Sequence, residues 1–157
     1  SEGVRVGLRP REFEVQPGVG IGPVRLGMTP DEVRQAVGRC RITAGDDREQ
    51  WIDALGLKVD YAADVVAFVE ASAVALVRVT LAGRDVFATP ADELVAAVVE
   101  HAGLNPNRLP PGRDEYRFPR LRLGLWRAFV PDEPVAPGEP GWAFESVSVY
   151  ARGYYTA

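Results

Sequence analysis

Few residue types in this chain could break or make bonds. There is one cysteine, Cys40, and one histidine, His101. Most hydrolase, metal and general-base schemes use imidazole as base or ligand, so a single histidine removes them at the outset. Pairing Cys40 with His101 would give a nucleophile and a base. Both follow the apolar stripe of an expected helix, however, and the dipole near a helix C-terminus raises a thiol pKa instead of lowering it. The pair reads as a partly buried thiol and a helix-terminal imidazole. An enzyme built on carboxylates alone would need Asp60 or Asp64 in a cleft with a raised pKa. No catalytic residue is assigned, and no cofactor is expected.

Asp46, Asp47 and Glu49 could offer oxygen ligands to a hard cation. They lack the spacing and the later bidentate glutamate of a calcium loop, so no metal site is assigned and a solvated acidic loop is expected. Such a loop could present negative charge to a basic partner. Gly18, Gly20 and Gly22 suggest a phosphate cradle only superficially. Pro23 follows them, no Lys-Ser/Thr pair closes the run, and the next segment reads as a strand where a cradle needs a helix. The run is expected to be a flexible lead-in. Arg108, Arg113, Arg117, Arg120, Arg122 and Arg127 are interleaved with Tyr116, Phe118 and Trp126, a pattern that could track single-stranded nucleic acid. The net charge of −4 and the single lysine, Lys58, argue against that partner.

The C-terminal aromatics carry more information. If Leu121, Leu123 and Leu125 face the core, the pleat puts Trp126 on the opposite face with Arg122; Phe144 and Tyr150 likewise oppose Val147 and Val149. Aromatic side chains on the polar face of a sheet can anchor an interface. Trp142, Tyr154 and Tyr155 lie nearby in sequence. The competing arrangement folds the Pro-rich stretch PDEPVAPGEPG over Trp126 and Trp142 as a satellite core.

The elements that must position these residues are legible from periodicity and caps. Ile21, Val24 and Leu26 mark a short strand. In GMTPDEV, Thr29 is an N-cap, Pro30 fits the first helical position, and Glu32 closes a capping box. Val33, Ala36 and Val37 form one stripe, and Gly38 ends the helix. Leu55, Leu57, Val59 and Tyr61 alternate with polar residues as a half-buried strand. Val65–Glu70 and Val74–Leu81 follow at short spacing, which predicts an antiparallel three-stranded meander. A second helix is expected to be capped by Thr89, with Leu94, Val95, Val98 and Val99 inward. Beyond NPNRLPPGRD, strands are expected at Tyr116–Phe118, Leu121–Arg127 and Phe144–Ala151. The whole, residues 1–157, reads as one α+β domain: an antiparallel sheet with two helices packed on one face, the two Thr-Pro helix starts leaving open a pair of helix-plus-meander halves.

A length of 157 residues with 46% hydrophobic and 25% charged content suits one domain with a real core. No run of about 18 apolar residues could span a bilayer, so no membrane partner is expected. A lone cysteine demands no oxidising compartment, which makes a cytoplasmic location the expectation.

The segment LGMTPDEVRQAVG resembles a motif of the BamE/SmpA outer-membrane assembly lipoproteins and of β-lactamase inhibitory protein. Both pack a Gly-Met-Thr-capped helix on an antiparallel sheet and act by binding other proteins. The sequence shows neither the paired cysteines of the inhibitor nor a lipoprotein cysteine, and the resemblance implies the fold and protein binding. Along the whole chain, GVGIGPVRLGMT, VDYAADVVAFVE, DVFATPADEL, YRFP, LGLWR and FESVSVYARGYY resemble a group of small bacterial proteins without an assigned activity. Some bacterial proteins of this size are immunity proteins that neutralise a toxin. The resulting expectation is a non-enzymatic, immunity-type or inhibitor-type module that binds another protein through Asp46, Asp47 and Glu49 with Trp126, Trp142, Tyr150 and Tyr154. The alternative is a small-molecule or lipid-binding domain with a cavity lined by Val77, Leu94 and Val98.

Overall fold

The computed structural model describes residues 10–46, 48–109 and 114–155. In chain order the elements are β1 (Arg11–Gln16), β2 (Gly20–Ile21), β3 (Val24–Arg25), α1 (Pro30–Val37), β4 (Thr43–Ala44), β5 (Glu49–Ile52), β6 (Leu57–Ala62), β7 (Val65–Ser72), β8 (Val77–Leu81), β9 (Arg84–Asp85), α2 (Ala91–Ala102), β10 (Glu115–Phe118), β11 (Leu123–Trp126) and β12 (Ser146–Tyr150). They form a seven-stranded sheet, β10-β11-β12-β7-β6-β5-β4, and a five-stranded sheet, β3-β2-β1-β8-β9. Every pairing in the large sheet is antiparallel. The fold class is α+β.

The large sheet has a repeated plan. α1 is followed by β5, β6 and β7, and α2 by β10, β11 and β12, each trio adjacent and antiparallel. The closing strands of the two trios, β7 and β12, pair along Ser72↔Ser146 to Phe68↔Tyr150 and fuse the halves into one sheet. Inside the first half, Ala63 and Asp64 both take positive φ, 52° and 65°. Two consecutive left-handed residues give the turn whose twist matches that of the flanking strands, which closes the β6–β7 hairpin tightly.

Alternation sorts the side chains. Leu57, Val59, Val69, Ala71, Leu123, Leu125, Val147 and Val149 are buried on one face, in the same cluster as Val33 and Val37 of α1 and Leu94, Val95, Val98 and Val99 of α2. Each such side chain contributes about 1.5–3 kcal/mol by leaving water, which is what holds the helices to this face. Phe13 and Val15 of β1 and Val79 and Leu81 of β8 join the cluster from the small sheet.

Several expectations from sequence need correction. The segment read as the third strand of the first meander, β8, leaves for the small sheet and pairs in parallel with β1, Phe13 opposite Val79. Its place in the meander is taken by β5, which begins at Glu49 of the expected acidic loop. The glycine-rich lead-in is ordered: β1 precedes it and β2 pairs back onto β1. α1 starts as read, with the Thr29–Glu32 capping box formed in both directions. α2 does not. Thr89 is buried and makes no side-chain cap; Asp85 caps a short 3-10 turn at Val86–Ala88 just upstream. The first amide of α2, on Ala91, donates instead to the carbonyl of Trp142 at 2.9 Å, so the Pro-rich loop supplies an acceptor that the helix start needs. Phe144, expected opposite Val147, precedes β12 and is fully buried edge-on to Tyr116. Regular strand geometry around Leu121 is broken by Arg122, at φ 55°.

Candidate functional site

The second face of the large sheet carries the polar and aromatic residues. Register fixes its rows. Arg117, Gly124, Ser148, Glu70, Lys58 and Trp51 lie side by side on β10, β11, β12, β7, β6 and β5. The row above holds Glu115, Trp126, Ser146 and Ser72, and the row below holds Tyr150, Phe68, Asp60 and Glu49.

The charges interact across these rows. Lys58 Nζ lies 3.0 Å from Glu49 Oε2 and 5.9 Å from the Trp51 ring centre. Burial pulls the Lys58 ammonium down, yet the hydrogen bond to Glu49 and the charges of Asp60, Glu49 and Glu70 outweigh it, and its pKa is raised. Glu70 is the carboxylate of the middle row, half-buried between Lys58 and Ser148. Burial pushes its pKa above the usual range and Asp60 adds to this; the Lys58 charge and a hydrogen bond with Ser146 pull back without cancelling it.

Tyr154 and Tyr155 fold over the same face. Tyr154 stacks on Phe68, with ring centres 5.2 Å apart, and its hydroxyl donates to Asp60 Oδ2 at 2.8 Å. Tyr155 meets Tyr150 edge-on at 4.7 Å, and the Arg117 guanidinium sits 3.8 Å from the Tyr155 ring centre while pairing with Glu115 at 3.3 Å. Two atoms buried beneath this cover, Tyr150 Oη and Asp60 Oδ1, have no hydrogen-bond partner among the described residues.

Between Trp126 and Tyr155 this face sinks into a pocket of about 350 Å³, floored by Gly124, Ser146 and Ser148 and reached by Glu70 and Glu115. On the far side of Trp126 a second depression of about 600 Å³ shares Glu70, Trp126 and Ser146 and is closed by Trp142 and the Pro-rich loop at Gly138–Gly141. Trp126 therefore stands as the ridge between two hollows, 42% exposed. The Pro-rich loop builds a wall beside it without burying it.

The residues expected to make contact are distributed as follows. Trp126, Tyr150, Tyr154 and Glu49 share the outer face; Tyr150 is buried, Tyr154 half-buried, and Glu49 engaged by Lys58. Trp142 is half-buried in the loop wall. Asp46 is exposed at the β4–β5 turn, accepting the Arg48 amide at 2.9 Å, and Asp47 lies outside the described residues. Glu49 and Trp126 are four strand spacings apart, roughly 19 Å across the sheet, and two rows apart along the strands, so the acidic turn and the aromatic ridge belong to one face without touching. Sequence reading missed Glu70, Ser146, Ser148 and Gly124. A lone glycine inside the strand LGLW was the available signal, since an interior strand glycine marks a close approach or an open space.

The other sequence patterns have structural roles. Cys40 follows α1 at the edge of the core, with its carbonyl accepting from Arg34, and His101 is exposed near the end of α2; no hydrogen bond joins the two. Asp64 sits in the exposed β6–β7 turn. Arg122 donates to the Gly18 carbonyl at 3.1 Å, and Arg127 is buried, donating to the Gly141 carbonyl at 2.8 Å. These arginines hold loops in place, and Arg113 lies outside the described residues. Val77, Leu94 and Val98 are packed into the core, and they line none of the principal pockets of the described residues. Among the described residues no cluster of metal-ligating side chains occurs, and no helix is long and apolar enough to cross a membrane.

Comparison with protein-family models, with curated proteins and with solved structures found no match. The site must be read from its own chemistry.

Proposed function

We propose that this α+β protein is a non-enzymatic binding module, of the immunity or inhibitor type, that engages another protein through the outer face of its seven-stranded sheet. One observation carries the reading: both helices pack on the opposite face, while this one presents Trp126, 42% exposed, between two hollows. Exposed tryptophan set among polar residues and cavities is the arrangement of interface anchors, which bury a large rigid surface at little entropic cost. The resemblance of LGMTPDEVRQAVG to families that bind proteins points the same way.

The test is capture of a stoichiometric partner by tagged protein from the native lysate, repeated with Trp126→Ser and, as a control on another surface, Leu76→Ser, whose side chain is also exposed. The expected result is a partner retained by wild type and by Leu76→Ser and lost with Trp126→Ser. Repeated capture of nothing, or retention by Trp126→Ser, overturns the reading.

A further inference from the structure

Resting on the outer face as the contact surface, we propose that the pocket between Trp126 and Tyr155 receives one arginine side chain of the partner protein. Size is the first argument. At about 350 Å³ the pocket lies at the small end of the roughly 300–1,000 Å³ typical of ligand sites, room for a side chain and too little for most cofactors. Its floor is kept low by Gly124, whose φ is not in the left-handed region, so its backbone gives no reason for a glycine there. A Cβ at this position would lie 2.7 Å from Ser148 Oγ. The absence of a side chain in mid-strand weakens the sheet and opens space.

Charge is the second. The strands project Glu49, Asp60, Glu70 and Glu115 on this face against Lys58 and Arg117. Lys58 is held by Glu49 and Arg117 by Glu115, which leaves Glu70, hydrogen-bonded to Ser146, as the pocket carboxylate with no ion pair among the described residues. The Trp126 indole attracts a cation by its ring face, and a guanidinium adds flat stacking and several donors for Glu70, Ser146 and Ser148. An ammonium offers a point charge with neither the flat face nor the fork. The protein already shows this chemistry once: Arg117 lies 3.8 Å from the centre of the Tyr155 ring.

The probe is N-acetyl-arginine amide, titrated into ¹⁵N-labelled protein and followed at the Trp126 indole N–H and the amides of Gly124, Ser146 and Ser148. N-acetyl-citrulline amide, neutral and nearly the same shape, and N-acetyl-lysine amide serve as comparisons. Saturable shifts at those four positions are expected, roughly tenfold weaker with citrulline, as loss of a charge-assisted hydrogen bond entails. Glu70→Gln, which keeps the shape, should weaken arginine to the citrulline level, and Gly124→Val should abolish the shifts by filling the floor. Should Gly124→Val fail to fold, Glu70→Gln decides alone. Equal binding of citrulline or lysine, or no saturable shift, overturns the proposal. With a captured partner, loss on Trp126→Ser but retention by Glu70→Gln rejects the arginine pocket and leaves the contact face standing. Indifference to both substitutions rejects the face itself.

Discussion

The hydroxyl of Tyr154 donates to Asp60 Oδ2 at 2.8 Å, joining the segment after β12 to the middle strand of the first half. Asp60 Oδ1 has no partner among the described residues, so this bond is the one that settles the carboxylate under its aromatic cover. Burial raises the Tyr154 pKa first, and the hydrogen bond to Asp60 and its charge raise it further; Tyr150 and Tyr155 beside it are also raised by burial, and Tyr61 is pushed up to about 12. A phenol whose folded pKa exceeds its unfolded value lends stability below the unfolded value, about 10, and that stability is lost as pH climbs toward the folded one. Tyr154→Phe should therefore lower stability by about 1–2 kcal/mol at neutral pH, through the lost bond to a partly buried carboxylate. It should also make the decline above about pH 10 shallower than in wild type. Urea midpoints from neutral to alkaline pH check both; parallel curves would contradict the second.

The glycine run is a folded corner, and its members are not equivalent. Gly22 has φ 55°, and a Cβ there would fall 2.5 Å from the ring of Phe13, a buried core residue. Gly103, at the end of α2, has φ 67° and ψ 30° but nothing within 4 Å of the Cβ position. Alanine at either site carries the left-handed penalty of about 1–2 kcal/mol. Gly22→Ala must in addition displace Phe13, at a further cost of about 1–3 kcal/mol typical of an overfilled core. Denaturation of the two variants side by side should rank Gly22→Ala well below Gly103→Ala. Equal losses would mean that the β1–β2–β3 corner yields freely and that the lead-in reading was nearer the truth.

What could be read from sequence divides along a physical line. The capping box of α1 was legible because Thr29, Pro30 and Glu32 act within one turn. The same grammar misled at α2, where Thr89 is buried and the first amide finds the Trp142 carbonyl, an acceptor far along the chain. Alternation gave the correct inward faces of β6 and β12, because the pleat is a local property. It could not name neighbours, so β8 was placed beside β7 when its partner is β1, a strand disguised by Glu12 and Glu14 on its outer face. Trp126 was found by parity along one strand. The pocket beside it was not, since Glu70, Ser148 and Gly124 meet only through the register of β7, β12 and β11.

Glu70 offers the most demanding test, because stability and binding should move in opposite directions. Its pKa is raised chiefly by burial, against the opposing pull of Lys58 and Ser146. A carboxyl raised in the fold contributes stability below the ordinary carboxylate pKa, and that contribution is lost as pH rises through the folded value. At neutral pH the ionised group is thus held at a cost, and Glu70→Gln should stabilise the protein by about a few tenths of a kcal/mol, small because the group is partly solvated and screened. The gain should vanish below about pH 4, where wild type is protonated too. Arginine-probe affinity in wild type should instead rise over the window in which Glu70 ionises, with Glu115 as the other charged group lining the pocket and Asp60, Lys58 and Arg117 as the charged groups beside it on the same face. It should be flatter in Glu70→Gln. A carboxylate kept only to hold Lys58 would behave the other way, losing stability on substitution and leaving the probe indifferent. A gain in one property bought by a loss in the other would mark Glu70 as a residue retained for contact, against the interest of the fold.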